Sequence, residues 1–170
     1  VHFLEKHNPG FAHEELITIP LNMEVDEGLN GNKFDAFAQE LKKMQGIKNA
    51  TLAFSSPSNV QTSADDFHCE GMPEGETVNM QWNSVYYDYF ETLGLKIIGG
   101  RGFNREFQSD MVDYNTKRKC AYVINQKAAM EMGLDNPIGK TLFAYQEGII
   151  VGIVEDFNFK SLHSEITPMC

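Results

Sequence analysis

The sequence predicts an α+β fold, in which one βαβ-type unit precedes a longer, mainly β region with short helices. Strand and helix periodicities alternate over residues 15–54, and short β-favouring runs separated by turn residues fill residues 55–154. The composition, 42% hydrophobic and 11% aromatic, is that of a globular protein. A chain of 170 residues can form one domain or two small subdomains around a packed core.

The βαβ-type unit is predicted over residues 15–54. The run ELITIPLNM (15–23) favours a strand, and Pro20 restricts that strand to a sheet edge or a bulge. Apolar residues then recur every three or four positions from Phe34 to Met44, which predicts a helix that ends at Gly46. Residues 47–54 predict a second strand. Two strands and a helix do not complete a sheet, so we expect this unit to be incomplete within the chain.

The strand-rich subdomain is predicted over residues 55–163. The polar residues and the Pro-Gly pattern of residues 55–76 predict a loop. The polar and charged composition of residues 103–118 predicts a second loop. Strands are predicted at 67–70, 77–85, 95–98, 120–124, 141–145 and 148–154, and helices at 86–93 and 126–132. The bends between them are predicted at Gly94, Gly99, Gly100, Gly102, Pro137 and Gly139.

The charge and the apolar pattern exclude several classes of protein. A net charge of −10 argues against binding to nucleic acid or to anionic lipid head groups. The longest apolar run, residues 148–154, is far shorter than a membrane span. The start of the chain lacks the pattern of a signal peptide, and we expect it to be a piece of a longer protein. Cys69, Cys120 and Cys170 give no disulfide framework.

Two glycine motifs resemble nucleotide-binding loops without satisfying them. Gly139-Lys140-Thr141 mimics the end of a P-loop, but five residues rather than four separate Gly133 from Gly139, and Pro137 lacks an amide donor. Gly99, Gly100 and Gly102 lack the later glycine and the helix of a dinucleotide-binding fingerprint. Both motifs are interpreted as turns.

The sequence does not satisfy the pattern of a metal-binding site. The candidate ligands Asp65, Asp66, His68, Cys69 and Glu70 lack the spaced pairs of a zinc site, and neighbours on a strand point to opposite faces. They are interpreted as residues of a surface loop.

The acid–base candidates are Glu155, Asp156, Ser161 and His163, which the sequence can neither assemble into a triad nor exclude. Asp156 is interpreted as fixing a local turn. The aromatic residues Trp82, Tyr86, Tyr87, Tyr89 and Phe90 could line a ligand site, and we interpret them as core. We therefore predict no catalytic, cofactor-binding or metal-binding residue, and no cofactor.

Three blocks of the sequence carry a family resemblance. They are VYYDYFETLGLKIIGGRGF (85–103), AYVINQKAAMEMGLDNPIGKTL (121–142) and IIVGIVEDFNFKSLH (149–163). In order and spacing they resemble the extracytoplasmic (MacB-like periplasmic core) domains of bacterial ABC-transporter permeases of the MacB/FtsX type. The resemblance extends more loosely over the rest of the chain.

The resemblance implies a division of the chain and a place in the cell. Residues 1–14 would leave a first membrane helix, 15–54 would form a porter-like βαβ subdomain, 55–163 the strand-rich subdomain, and 164–170 a return toward a second porter-like segment. The full-length protein would lie in the inner membrane, with this domain extracytoplasmic or periplasmic. Three further membrane helices would follow.

The resemblance also implies a non-enzymatic role. A separate cytoplasmic ATP-binding subunit would drive the permease in export, lipoprotein extraction or mechanical signalling (mechanotransmission). A periplasmic adaptor or substrate protein is a further expected partner, and the full-length form would be a homodimer or pseudo-dimer. The exposed loops 55–76 and 103–118 are the expected contact surfaces.

The sequence is also compatible with two other classes of protein. An extracytoplasmic ligand-binding sensory module would show an apolar pocket near Trp82 and Tyr86. A hydrolase would place a buried Ser or Cys within bonding distance of His68 or His163.

Overall fold

A computed structural model describes residues 10, 15–21, 31–111, 119–144, 146–159 and 165–170. The helices are α1 (Gly31–Lys42), α2 (Tyr89–Leu93) and α3 (Gln126–Glu131), with a 3₁₀ turn at Gln108–Asp110. The strands are β1 (Ser63–Cys69), β2 (Val78–Gln81), β3 (Ile97–Gly100), β4 (Cys120–Asn125), β5 (Thr141–Phe143) and β6 (Gly148–Val154). No helix among these residues has the length and apolar content needed to cross a bilayer.

Strand β6 is the centre of a mixed six-stranded sheet in the order β2–β1–β5–β6–β3. β4 pairs with β6 in parallel along its whole length, while β5 and β3 share the opposite edge as antiparallel partners. The run GIIVGIV forms β6 because β-branched residues fill a strand that has neighbours on both edges. Its two glycines lie where neighbouring backbones approach closely: a Cβ at Gly152 would stand 2.1 Å from the Arg101 carbonyl oxygen.

Residues 167–170, which we call the closing segment, join the two ends of this sheet. Met169 forms a parallel bridge with Gln81 of β2, and its carbonyl oxygen accepts a hydrogen bond from the Asn125 N–H of β4. The strands β4, β6, β5, β1 and β2 and the closing segment thereby form a ring. Edge groups that would otherwise be unpaired bond within the protein.

One hydrophobic core lies inside this ring, and a second packs against its outer face. The ring-interior core is formed by Phe67, Cys69, Val78, Met80, Ile124, Ala128, Met132, Leu142 and Ile150. The outer core packs α2 against the other face and contains Val60, Tyr89, Phe90, Leu93, Leu95, Val123, Val154, Phe157, Phe159 and Met169. Val123 and Ile124 are consecutive on β4 and point to different cores, as the period of a strand requires.

The α+β class and the strand-rich region with short helices are confirmed. Of the predicted βαβ-type unit, only the helix forms among the described residues. Residues 16–21 and 47–52 have no strand, and Ala53 makes an isolated bridge to Val85; Met23 lies outside the described residues. The helix ends at Lys42, so Met44 is exposed instead of extending the buried stripe. With too few partner strands, the β-favouring sequences remain irregular.

The other elements are confirmed with shifted boundaries. β1 begins at Ser63, so part of the predicted loop 55–76 is strand, and β3 ends at Gly100 instead of residue 98. α2 begins at Tyr89 because Asp88 has a φ of 64°, which interrupts the predicted helix. Among the predicted bends, Gly94, Gly100 and Gly139 have positive φ. Gly99 and Gly102 do not have positive φ, and their lack of a side chain gives space to the side chains of Ile138 and Phe90.

Candidate functional site

Helix α1 contacts the strand-rich subdomain through a cluster of aromatic and charged side chains that we call the α1 joint. Its members are Phe34, Asp35, Ala38 and Lys42 on α1 and Tyr86, Tyr87, Asp88 and Arg105 on the other side. The joint brings together three stretches of chain that are distant in sequence.

The apolar base of the joint follows from the helical repeat. Phe34 and Ala38 are four residues apart, so they lie on one face of α1, and both are buried. The Phe34 ring meets the Tyr86 ring edge to face, with 5.1 Å between centroids, and Tyr86 meets Tyr87 at 4.9 Å. Aromatic pairs of this geometry add about 0.5–1.5 kcal/mol beyond the burial of their area.

Arg105 bridges the two sides of the joint. Its guanidinium nitrogens donate to Asp35 Oδ1 at 2.9 Å and to Asp88 Oδ1 at 3.1 Å, and its charge lies 4.7 Å from the centre of the Tyr87 ring. The Arg105 side chain is 44% exposed. Exposed ion pairs contribute only about 0–1 kcal/mol each, so this bridge can form and break readily.

Asp88 links α1 to α2. Its carboxylate also accepts from Lys42 Nζ at 3.3 Å, and its carbonyl oxygen accepts the Thr92 N–H at 2.9 Å within the first turn of α2. A residue with a left-handed backbone therefore sits between the charged part of the joint and the helix that fills the outer core. Movement of α1 would act directly on the start of α2.

Two groups of the joint have shifted pKa values. Burial disfavours the charged form of Asp88, but hydrogen bonds to Arg105 and Lys42 and their positive charges outweigh it and lower the pKa of the carboxyl. Burial, together with the charge of Asp35 and the hydrogen bond to it, raises the pKa of the Tyr86 hydroxyl to about 12. The joint thus favours a charged Asp88 and a neutral Tyr86.

We expect the contribution of Asp88 to stability to depend on pH. Because the folded-state pKa is lowered, this contribution is fully present above the ordinary carboxyl pKa of about 4 and is lost as pH falls through the folded value. The difference in unfolding free energy between the native protein and Asp88→Asn should therefore shrink on acidification. Asparagine tolerates the left-handed backbone, so the comparison isolates the charge.

Urea denaturation at several pH values between about 3 and about 6 measures this difference. Asp65→Asn, which removes an exposed carboxylate from β1, controls for the loss of one surface charge. A stability difference for Asp88→Asn that stays constant over the range would contradict the prediction.

A buried carboxylate organises the loop that presents Arg105. Asp110, whose side chain is 0% exposed, accepts from Arg101 Nη1 at 2.5 Å, from Arg101 Nη2 at 2.9 Å and from the Asn104 N–H at 2.9 Å. The Arg101 guanidinium also lies 3.9 Å from the centre of the Phe107 ring. Bidentate bonding fixes the loop on both sides of Arg105.

The chain that follows α1 is attached by main-chain bonds. Tyr86 N–H donates to the Leu52 carbonyl oxygen and Phe54 N–H to the Ser84 carbonyl oxygen, both at 2.8 Å. The Asn83 side chain bonds both the N–H and the carbonyl oxygen of Ser55. The connection is thus fixed, whereas the contacts described above hold α1 itself by side chains.

The P-loop-like motif is a turn. Gly139 N–H donates to the Ile150 carbonyl oxygen at 2.8 Å, and Lys140 N–H donates to the Pro137 carbonyl oxygen at 3.1 Å. These two amides are therefore committed to bonds within the protein and are not available to a phosphate.

The structure separates the candidate metal ligands. His68 contacts the Phe143 ring and bonds the Glu76 carbonyl oxygen through Nδ1, whereas Cys69 points into the ring-interior core. Burial raises the pKa of the Cys69 thiol. The part of the chain that the structure describes contains no group of three His, Cys, Asp or Glu side chains suited to hold a metal.

Of the acid–base candidates, Glu155 and Asp156 lie within the described residues, and each bonds a backbone amide. Asp156 Oδ1 accepts the Lys127 N–H at 2.9 Å and Glu155 Oε1 accepts the Lys96 N–H at 3.1 Å. The interpretation of Asp156 as fixing a local turn was wrong in detail, because its partner is 29 residues away. Ser161 and His163 lie outside the described residues, as do residues 112–118 of the predicted loop 103–118.

The aromatic residues are core, as interpreted, but they belong to different places. Tyr86 and Tyr87 lie in the α1 joint, and Tyr89 and Phe90 lie in the outer core. Trp82 is half-buried and stacks on the exposed Phe54 ring at 5.6 Å. Trp82 and Tyr86 therefore do not form the single wall that a ligand pocket between them would require.

The fold of this chain is similar to that of solved structures from two transporters. No family model matches the chain, and no curated protein matches it. The periplasmic region of MacB from Actinobacillus actinomycetemcomitans aligns with 74% of this chain and 52% of its own length, at 20% identity and a TM-score of 0.49. The extracellular domain of the noncanonic ABC-type transporter YknZ from Gram-positive bacteria aligns with 86% of this chain and 67% of its own, at 20% identity and a TM-score of 0.45. The chain thus spans about half the length of the MacB region and is similar to both extracytoplasmic structures.

Proposed function

We propose that this chain is the extracytoplasmic domain of an ABC-transporter permease that couples ATP hydrolysis in the cytoplasm to work outside the membrane. The observation that supports this most is that the three sequence blocks carrying the resemblance form one packed unit. Tyr89, Phe90 and Leu93 of the first block meet Val123 of the second and Phe157 of the third in the outer core. The three blocks thus belong to one core of this chain, which supports interpreting them together as a single family resemblance.

The α1 joint gives this proposal a mechanical element. α1 is held by aromatic edges and exposed ion pairs, while the chain after it is fixed to residues 83–87. Such a helix can move relative to the strand-rich subdomain on the timescale of other collective motions. In this proposal, α1 receives motion from the membrane part and passes it to α2 through Asp88.

The partners follow from the same proposal. A cytoplasmic ATP-binding subunit supplies the energy, and a periplasmic adaptor or substrate protein receives the motion. The energy would drive export, lipoprotein extraction or mechanical signalling. The full-length protein would act as a homodimer or pseudo-dimer in the inner membrane.

The first test uses the full-length gene product, tagged and purified in mild detergent from its own cells. We expect it to fractionate with membranes and to copurify with a polypeptide that hydrolyses ATP. Recovery in the soluble fraction without an ATPase would overturn the proposal.

The second test restrains the α1 joint in that complex. Asp35→Cys and Arg105→Cys, whose native side chains are 2.9 Å apart, are joined by a cleavable thiol crosslinker. We expect ATP hydrolysis to fall severalfold and to recover after cleavage. Lys127→Cys with Glu131→Cys, one turn apart within α3, is the matched control and should have no effect.

A further inference from the structure

The side chain of Asn125 holds the closing segment to β4 through two hydrogen bonds. Asn125 Nδ2 donates to the Thr167 carbonyl oxygen at 3.0 Å, and Asn125 Oδ1 accepts the Met169 N–H at 2.9 Å. The same oxygen accepts the Ala128 N–H and so caps α3. Asn125 is 1% exposed, so water does not compete for these bonds in the closed state.

Backbone pairing to β2 supplies the other fastening. Gln81 N–H donates to the Pro168 carbonyl oxygen and Cys170 N–H donates to the Gln81 carbonyl oxygen, both at 2.9 Å. Asn83 N–H donates to the Cys170 carbonyl oxygen at 3.0 Å. These bonds form a continuous short ladder, which can be lost together.

The closed state leaves polar groups unsatisfied at this place. Among the described residues, Gln81 Oε1 and Thr167 Oγ1 are buried without a hydrogen-bond partner, and Gln81 is paired to the closing segment through its backbone. A buried polar atom without a partner is unfavourable, and that cost is removed when water reaches the atom. Thr167 belongs to the closing segment, so opening of this segment would expose Thr167 Oγ1 to water.

The rest of the ring has its own core. The buried residues of the ring-interior core lie on β1, β2, β4, β5, β6 and α3, and the closing segment adds only the partly buried Cys170 to their margin. The closing segment also places Met169 in the outer core, but no residue of the closing segment takes part in the pairing of β6 with β4, β5 and β3.

We propose that residues 167–170 open as a unit from β2 and β4, with Asn125 as the latch, while the ring behind them stays folded. This opening is a local unfolding step of lower free energy than global unfolding. It belongs to the fold and would occur whether or not the domain serves a permease.

The three free cysteines provide an internal measurement. Cys170 lies in the closing segment, Cys69 in β1 and Cys120 in β4. Cys69 and Cys120 are buried, and Cys170 is partly exposed as a residue, but burial of the sulfur raises the pKa of each thiol, that of Cys170 to about 12. Each thiol therefore reacts with a thiol reagent mainly after further exposure. In the native protein at neutral pH, we expect Cys170 to be labelled by a maleimide well before Cys69 and Cys120.

Asn125→Ser tests the latch. Serine can still cap α3 but is too short to bond both Thr167 and Met169. We expect the labelling rate of Cys170 to rise about ten- to a hundredfold, as the loss of two buried hydrogen bonds implies, with Cys69 almost unchanged. Deuterium uptake at the Met169 and Cys170 amides should rise in parallel.

Ile150→Ala is the matched control, because it weakens the ring-interior core and removes none of the hydrogen bonds that hold the closing segment. It should accelerate labelling of all three thiols together. The proposal is overturned if Asn125→Ser leaves the Cys170 rate unchanged, or if it accelerates Cys69 as much as Cys170.

Discussion

Gly152→Ala is expected to destabilise the protein by about 3–4 kcal/mol. Gly152 of β6 lies opposite Gly100 of the antiparallel strand β3. A Cβ added at Gly152 would stand 2.1 Å from the carbonyl oxygen of Arg101 and 3.0 Å from the carbonyl carbon of Arg101. These are main-chain atoms, so no side-chain rotation relieves the overlap. Strands β3 and β6 would have to separate at the centre of the sheet.

The control is Gly99→Ala in the same strand pair. Its Cβ would meet the end of the Ile138 side chain at 3.3 Å, and that flexible group can move aside. A change within about 1 kcal/mol is expected, partly offset by the reduced freedom of the unfolded chain. Urea denaturation followed by circular dichroism measures both variants, and equal losses of stability would show that the close approach at Gly152 is not the cause.

Much of the strand-rich region could be predicted because local signals agree with the tertiary environment. Residues 148–154 form β6 with the predicted bounds, since their β-branched run occupies the centre of the sheet. Asn125 caps α3 and Gly94 ends α2 in the left-handed conformation. In these places, propensity, capping and burial all favour the same structure.

The errors arise where tertiary contacts override the local pattern. Residues 47–54 have the composition of a strand, but the described part of the chain pairs only Ala53 with Val85 there. Tyr86 and Tyr87 have helical spacing with Phe90, but the left-handed Asp88 turns their rings toward α1. The ladder between residues 168–170 and β2 gives no local signal, because a run of three residues that begins with Pro168 is too short to be recognised as a strand.

The α1 joint could not be found from sequence. Arg105 lies 70 residues from Asp35 and 17 from Asp88, so no spacing rule connects them. The sequence pattern predicts that Phe34 and Tyr86 are each buried, but it does not predict that their rings contact each other. Geometry alone shows that a positive charge joins two carboxylates across a helix boundary.

Arg101→Met is expected to destabilise the protein by about 2–3 kcal/mol. This is less than the loss expected for breaking a fully buried ion pair, because the Arg101 side chain is 32% exposed. The substitution leaves the Asp110 carboxylate buried and without its bidentate partner. The loop that presents Arg105 should then loosen. Deuterium uptake in residues 31–42 would rise as α1 loses its bridge to Asp88.

A double-mutant cycle separates the ion pair from its surroundings. Asp110→Asn in the Arg101→Met background removes the unpaired charge, so part of the lost stability should return, with a coupling energy above about 1 kcal/mol.

Salt distinguishes the Arg101–Asp110 pair from the ion pairs of the α1 joint, because about 1 M salt screens the exposed Arg105 pairs and affects the buried Asp110 much less. The loss of unfolding free energy caused by Arg105→Gln should therefore vanish at high salt, whereas the loss caused by Arg101→Met should persist. Loss of both effects in salt would show that Asp110 is accessible to ions and that the loop does not fix Arg105.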